Sequence, residues 1–159
     1  MTELNVIYGM YSGLALLMDI HYPDNPNGYG VVFIAGSGWR APLSLDARPL
    51  KESDQTHIYG MPLTQAGYTV FSLNHRATPR FPYPAAVEDA QRAVRFIRYH
   101  AETYGIHPDR IGAVGGSSGG HLVSMLGVLG DQRASDNDGP INRETATVQC
   151  VVARAAPVD

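Results

Sequence analysis

The sequence of 159 residues contains one cysteine, Cys150, and one lysine, Lys51. One cysteine cannot form a disulfide within the chain, so packing must hold the fold, which favours a reducing, cytoplasmic compartment. The formal net charge is −3, and there is no basic stripe of the kind that binds nucleic acid or anionic lipid. The sequence also lacks an apolar run of 18 residues and a signal-peptide pattern, so we expect no membrane partner.

The apolar residues that are present occur in short runs separated by turn residues. With 44% hydrophobic and 17% charged residues, the composition fits a single globular domain over 1–159 and excludes a disordered chain. Two segments flanking Tyr11-Ser12-Gly13 predict an antiparallel hairpin, over 5–10 and 14–22. Almost continuous apolar runs predict four further strands covered by helices on both faces, over 31–35, 68–73, 110–114 and 149–153.

Helical patterns alternate with these strands. Apolar residues three and four positions apart predict a long helix over 84–104, with Pro84 in its first turn and Gly105 as its stop. Shorter helices are predicted over 60–66 and 119–129. The alternation of strands and helices predicts an α/β fold with a mostly parallel sheet.

A glycine-rich segment after the third buried strand carries the main chemical signal. Gly116-Ser117-Ser118-Gly119-Gly120 matches the pattern G-x-S-x-G, in which glycines allow a tight strand-to-helix turn that exposes the serine hydroxyl. The match predicts Ser118 as a nucleophile between the motif glycines Gly116 and Gly120. The alternative is an ordinary glycine-rich connection.

A second glycine-rich turn, Ile34-Ala35-Gly36-Ser37-Gly38-Trp39, follows the first buried strand. In this position the backbone amides of Ser37 and Gly38, together with that of Gly119, could bind the oxyanion of an ester substrate. The alternative is an ordinary turn beside a buried tryptophan.

Three segments together resemble a known family. They are Phe81-Pro82-Tyr83-Pro84-Ala85-Ala86-Val87-Glu88-Asp89-Ala90, the stretch from Ile106 to Gly112, and Gly115-Gly116-Ser117-Ser118-Gly119-Gly120-His121. They resemble the bacterial esterase/lipase group of the α/β-hydrolase superfamily, which includes acetyl esterases and hormone-sensitive-lipase-like carboxylesterases. The resemblance implies a Ser-His-Asp carboxylic ester hydrolase without cofactor or metal, with oxyanion donors at Ser37, Gly38 and Gly119. Where these relatives carry His-Gly-Gly-Gly, this sequence has Ala35-Gly36-Ser37-Gly38, without the histidine.

The expected base and acid of the triad are missing from their usual places. In α/β-hydrolases both follow the nucleophile in the order acid, then histidine, yet the last histidine here is His121. We therefore expect an N-terminal part of a longer hydrolase, without the C-terminal strands of the fold. His121 is a candidate for the base, with packing against the turn as its alternative, and Asp159 is a candidate for the acid. Among the other histidines, only His75 is a candidate for a cleft.

These observations lead to one main functional prediction and its alternatives. The main prediction is a serine carboxylesterase that cleaves short-chain carboxylic esters through an acyl-enzyme at Ser118. The alternatives are a catalytically impaired hydrolase-like module for binding or assembly, or another acyl-transfer or lyase chemistry on the same scaffold. The apolar strand over 149–153 would form an exposed sheet edge, which predicts a homo-oligomer.

Overall fold

The computed structural model describes residues 1–130 and 139–158. Its strands form one mixed sheet in the order β1-β2-β4-β3-β5-β6. The β1–β2 and β2–β4 pairs are antiparallel, and the β4–β3, β3–β5 and β5–β6 pairs are parallel. The strands are β1 Thr2–Tyr11, β2 Leu14–His21, β3 Gly30–Ile34, β4 Thr69–Leu73, β5 Ile111–Gly116 and β6 Cys150–Arg154. The predicted N-terminal hairpin and α/β class are both confirmed.

The helices are α1 Met61–Gln65, α2 Ala85–Tyr99, α3 Ser118–Leu129 and α4 Pro140–Arg143. A 3₁₀ turn, Leu50–Glu52, and a π-helical turn, Thr56–Gly60, precede α1, so the helical segment begins earlier than predicted. Helix α2 is shorter than the predicted span because the chain tightens into turns after Tyr99. These turns end at Gly105, whose φ of 64° is easy only for glycine. No helix in the described ranges is long and apolar enough to cross a membrane.

Apolar side chains cover both faces of the parallel part of the sheet. Val32 and Ile34 of β3 belong to a large buried cluster with residues of α2 and α3. Val31 and Phe33 point to the other face and join a smaller cluster that includes Leu63 of α1. Burial on both faces explains why these strands read as continuous apolar runs. Because β3 and β5 are adjacent and parallel, the loops that follow them lie side by side at one sheet edge.

Strand β6 is the last strand of the sheet. Within the described residues it pairs only with β5, and four of its five residues are exposed. This agrees with the expected edge strand. Coverage of that edge by a second copy of the chain stays a prediction.

Candidate active site

A single residue forms the turn between β5 and α3. Strand β5 ends at Gly116 and α3 begins at Ser118, which leaves Ser117 with φ 52° and ψ −125°. A residue with a Cβ rarely adopts such a conformation, which costs about 1–3 kcal/mol and is typical of functional sites. Ser117 is exposed, and its N–H donates to the carbonyl oxygen of Arg154 at 2.9 Å. The turn therefore presents Ser117 to solvent while its backbone is fixed to the end of β6.

Backbone packing around this turn requires glycine at two positions. A Cβ on Gly119 would lie 2.0 Å from the carbonyl oxygen of Ile34, and a Cβ on Gly115 would lie 2.4 Å from that of Gly119. At Gly116 and Gly120 the nearest atoms would lie at 3.1 Å. The two positions without room for a side chain are therefore 115 and 119, which have Ser117 midway between them.

The expectation of an exposed hydroxyl at Ser118 is wrong. Ser118 is the first residue of α3 and only 1% exposed, and its Oγ accepts the N–H of Ser37 at 2.9 Å. The segment from 115 to 120 fits G-x-S-x-G in two overlapping ways, and the prediction uses the one in which Gly116 and Gly120 flank the serine. The other fit, in which Gly115 and Gly119 flank the serine, is the sequence signal that points to Ser117.

The loop that follows β3, residues 35–39, lies directly against the turn; we call it the β3 loop. A Cβ on Gly36 would lie 2.6 Å from the carbonyl oxygen of Gly116 and 2.8 Å from Cβ of Ser117. Gly38 has a φ of 63°, and a Cβ placed there would meet no atom within 4 Å. The β3 loop is therefore packed tightly at its start and open near its end.

The amides expected to bind an oxyanion differ in their surroundings. The N–H of Ser37 is not directed into the open space, because it donates to Ser118 Oγ. Gly119 packs beneath the β3 loop, against the carbonyl groups of Ile34 and Ala35. The N–H of Ser118, at the first position of α3, has no partner within the helix. Of these amides, that of Ser37 is therefore occupied, while Gly38 lies at an open position and the N–H of Ser118 is free of helical hydrogen bonding.

Two of the histidines considered in the sequence analysis pack against neighbouring residues. Trp39 Nε1 donates to Nδ1 of His121 at 3.3 Å, and the two rings meet edge to face with centroids 5.3 Å apart. His75 is buried, its Nδ1 lies 2.8 Å from the carbonyl oxygen of Arg76, and burial lowers the pKa of its ring. His121 thus packs against the β3 loop, and His75 lies in the interior.

The described residues do not bring a base to Ser117. Within 1–130 and 139–158, no histidine nitrogen makes a hydrogen bond with Ser117 Oγ. Asp159, the weak candidate for the acid, lies outside the described residues. The same ranges contain no group of three or more His, Cys, Asp or Glu side chains arranged to hold a metal ion.

Two cavities flank the β3 loop. One, of about 380 Å³, includes Gly36, Gln55 and Tyr59 in its wall. The other, of about 430 Å³, lies beside Gly38 and His121, and its wall includes aromatic and proline residues, Trp39, Phe81, Pro82, Tyr83 and Pro84. Both volumes are in the range of small-molecule sites. Space for a ligand therefore exists on both sides of the loop.

Both glycine-rich segments lie within the part of the chain that matches a known family. The model of the BD-FAE family matches residues 18–159, which include the β3 loop and the turn at Ser117. The chain belongs to the BD-FAE family. Its resemblance to esterases of the α/β-hydrolase superfamily is thereby confirmed.

Named relatives of the BD-FAE chain are esterases. It is 35% identical to the carboxylic ester hydrolase LipN of Mycobacterium tuberculosis over 127 residues, 76% of this chain and 31% of LipN. It is 29% identical to an acetylxylan esterase of Xylanibacter ruminicola, over 72% of this chain and 22% of that enzyme. A solved truncated form of a carbohydrate esterase from gut microbiota superposes with a TM-score of 0.79 at 28% identity, covering 100% of this chain and 57% of that one. The BD-FAE chain thus has an α/β-hydrolase fold and spans less than a third of these two sequence relatives.

Proposed function

We propose that the chain carries the nucleophile and the oxyanion hole of a serine carboxylic ester hydrolase, with Ser117 as the nucleophile. The observation that carries this proposal is the strained, exposed turn at Ser117, packed against the β3 loop. Strain of this kind persists only where the surrounding structure enforces it. The names of LipN and of the acetylxylan esterase support the reaction class.

In the proposed reaction, Ser117 Oγ attacks the carbonyl carbon of an ester as its proton passes to a general base. The carbonyl oxygen becomes an oxyanion, which accepts hydrogen bonds from the amides of Gly38 and Ser118. The positive end of the dipole of α3 adds to this stabilisation. The tetrahedral adduct then expels the alcohol, which takes the proton from the base, and water hydrolyses the acyl group on Ser117.

The general base is the component that the described residues do not supply. We expect a histidine in this role, because a serine hydroxyl is a weak nucleophile without a base. His121 does not fit this role as it stands, since its Nδ1 accepts a hydrogen bond from the indole of Trp39.

We further propose short-chain carboxylic esters as the substrates. The aromatic cavity beside Gly38 has a volume of about 430 Å³, toward the lower end for ligand pockets, which suits a small acyl or alcohol group. We expect rates on p-nitrophenyl esters to fall as the acyl chain lengthens from acetate to decanoate. A preference for the decanoate would contradict this proposal.

The decisive experiment compares three proteins on p-nitrophenyl acetate. Ser117→Ala should lower kcat/KM more than any other single change, because no other group forms the acyl-enzyme. Ser118→Ala tests the other serine of the motif and should lower kcat/KM by about tenfold, far less than Ser117→Ala, since its hydroxyl contributes one buried hydrogen bond to the β3 loop. Equal rates for the parent and Ser117→Ala would refute the esterase proposal.

A second function follows from the same site if the base is absent. The lack of a histidine bonded to Ser117 within the described residues favours a catalytically impaired module that binds or assembles. The exposed edge of β6 would then serve homo-oligomer formation. Static light scattering should show a dimer or larger species, and a monomer at micromolar concentration would contradict this function.

A further inference from the structure

The β3 loop contains little that would hold it rigid. Two of its five residues are glycines, which allow many backbone conformations. The side chain of Ala35 has no polar group that could hold the loop by a hydrogen bond. An oxyanion hole nevertheless requires amides that are already oriented before the reaction. The contacts of this loop must therefore supply the rigidity that its sequence lacks.

We propose that Gln55 is a positioning residue that orients the β3 loop for oxyanion binding. The proposal rests on the proposed esterase function and adds to it a residue that no sequence motif marks. Gln55 Oε1 accepts the N–H of Gly36 at 2.9 Å. The side chain acts through the loop backbone.

Gly36 is held from two sides. Its N–H bonds to Gln55, while its Cα faces the carbonyl oxygen of Gly116 and Cβ of Ser117 so closely that no side chain would fit. Rotation of the peptide group between Ala35 and Gly36 would break this hydrogen bond. Gln55 therefore fixes the direction in which the chain enters the loop, and hence the orientation of the amides that follow.

The next amide is held in the same way by a different group. Ser37 donates to Ser118 Oγ at 2.9 Å, which ties the loop to the first turn of α3. With residues 36 and 37 both restrained by side-chain acceptors, the amide of Gly38 follows at the open end of the loop. The two restraints fix the two residues that precede Gly38 in the loop.

Gln55 is itself attached to a fixed segment. Lys51 Nζ makes a buried ion pair with Asp19 at 2.8 Å, and its backbone N–H donates to Asn74 Oδ1 at 2.9 Å. Thr56, next to Gln55 and 2% exposed, donates from Oγ1 to the carbonyl oxygen of Lys51. The acceptor on Gln55 is therefore carried by backbone anchored in the interior, which is what a positioning role requires.

Gln55→Ala removes the acceptor, and Gln55→Glu retains an oxygen in its place. The matched control is His57→Ala, because His57 is exposed on the same segment and makes no hydrogen bond with the β3 loop among the described residues. Amide hydrogen exchange of Gly36, measured by NMR, reports the contact directly and needs no turnover. Kinetics on p-nitrophenyl acetate report its effect on the reaction.

We expect exchange at Gly36 to be about tenfold faster in Gln55→Ala, as for the loss of one hydrogen bond, and unchanged in the other two variants. In Gln55→Ala, kcat should fall about tenfold or more while KM stays within about twofold, because misplaced oxyanion donors affect the transition state. Unchanged exchange at Gly36 in Gln55→Ala overturns the proposal, as does faster exchange with unchanged kcat. If exchange at Gly36 is faster in Gln55→Ala but the parent protein has no esterase activity, the hydrogen bond from Gly36 to Gln55 is supported and the esterase function is refuted.

Discussion

The turn at Ser117 and the β3 loop lie side by side at the same sheet edge, yet they are fixed by different means. The turn is held by backbone packing, since Gly115 and Gly119 have main-chain atoms where a Cβ would be. The β3 loop is held by side chains, since Gln55 and Ser118 accept the hydrogen bonds of its first amides. The turn therefore depends on the absence of side chains, whereas the loop, apart from the close approach at Gly36, depends on their presence.

The difference has consequences for what each region tolerates. Backbone atoms in β3 and α3 cannot move without disturbing the sheet, so an added methyl group at the turn has no means of relief. Loss of a hydrogen-bond acceptor lowers the free energy of unfolding by less, because the loop has solvent and open space nearby. We expect substitutions at the turn to affect folding and substitutions around the loop to affect its orientation.

The largest expected effect is at the turn glycines. Gly119→Ala and Gly115→Ala should each lower the free energy of unfolding by at least about 3 kcal/mol, or abolish the cooperative transition, because each Cβ would overlap a main-chain carbonyl group. Urea denaturation followed by circular dichroism measures this change.

Gly116→Ala is the matched control for those glycines. The nearest atom to a Cβ there would be Gln55 Oε1, 3.1 Å away, and a shift of a few tenths of an ångström in that side chain would relieve the contact, so the cost should stay below about 1 kcal/mol. If Gly116→Ala were as costly as Gly115→Ala, the motif would not be centred on Ser117, and the comparison between turn and loop would fail.

Much of the fold could be predicted from the sequence because its signals are local. The strand runs, the hairpin turn at Ser12-Gly13 and the glycine stop at Gly105 each depend on residues close together in the chain. The π-helical turn before α1 has no comparable signal, and its start at Thr56 was outside the predicted helix.

The candidate site was predicted only in outline. The two glycine-rich segments follow β3 and β5 as expected, and their role in a site stays a prediction. The choice between Ser117 and Ser118 depends on distances between Gly119 and β3, which are separated by more than eighty residues. Gln55 has no motif at all, because its role arises from a hydrogen bond across the fold. Long-range contacts of this kind cannot be read from local pattern or spacing.

An intermediate effect is expected where the turn and the loop meet. Ser118→Ala leaves the N–H of Ser37 without its acceptor and should lower the free energy of unfolding by about 1–2 kcal/mol. Ser124→Ala is the control within the same helix, because among the described residues that hydroxyl bonds to the carbonyl oxygen of Gly120, one turn earlier, and not to the β3 loop. If both variants lost the same stability, the hydrogen bond between Ser118 and the loop would contribute nothing of its own.

The smallest expected effect is at Gly38, where the loop is open. Gly38→Ala introduces no clash, but its φ of 63° is unfavourable for a residue with a Cβ and should cost about 1 kcal/mol of unfolding free energy. Gly38→Asn should cost less, because asparagine tolerates the left-handed region better than alanine does. Urea denaturation of both variants separates conformational strain from packing. A loss at Gly38→Ala as large as that at Gly119→Ala would show that packing fixes the loop as tightly as the turn, which would remove the distinction between the two regions.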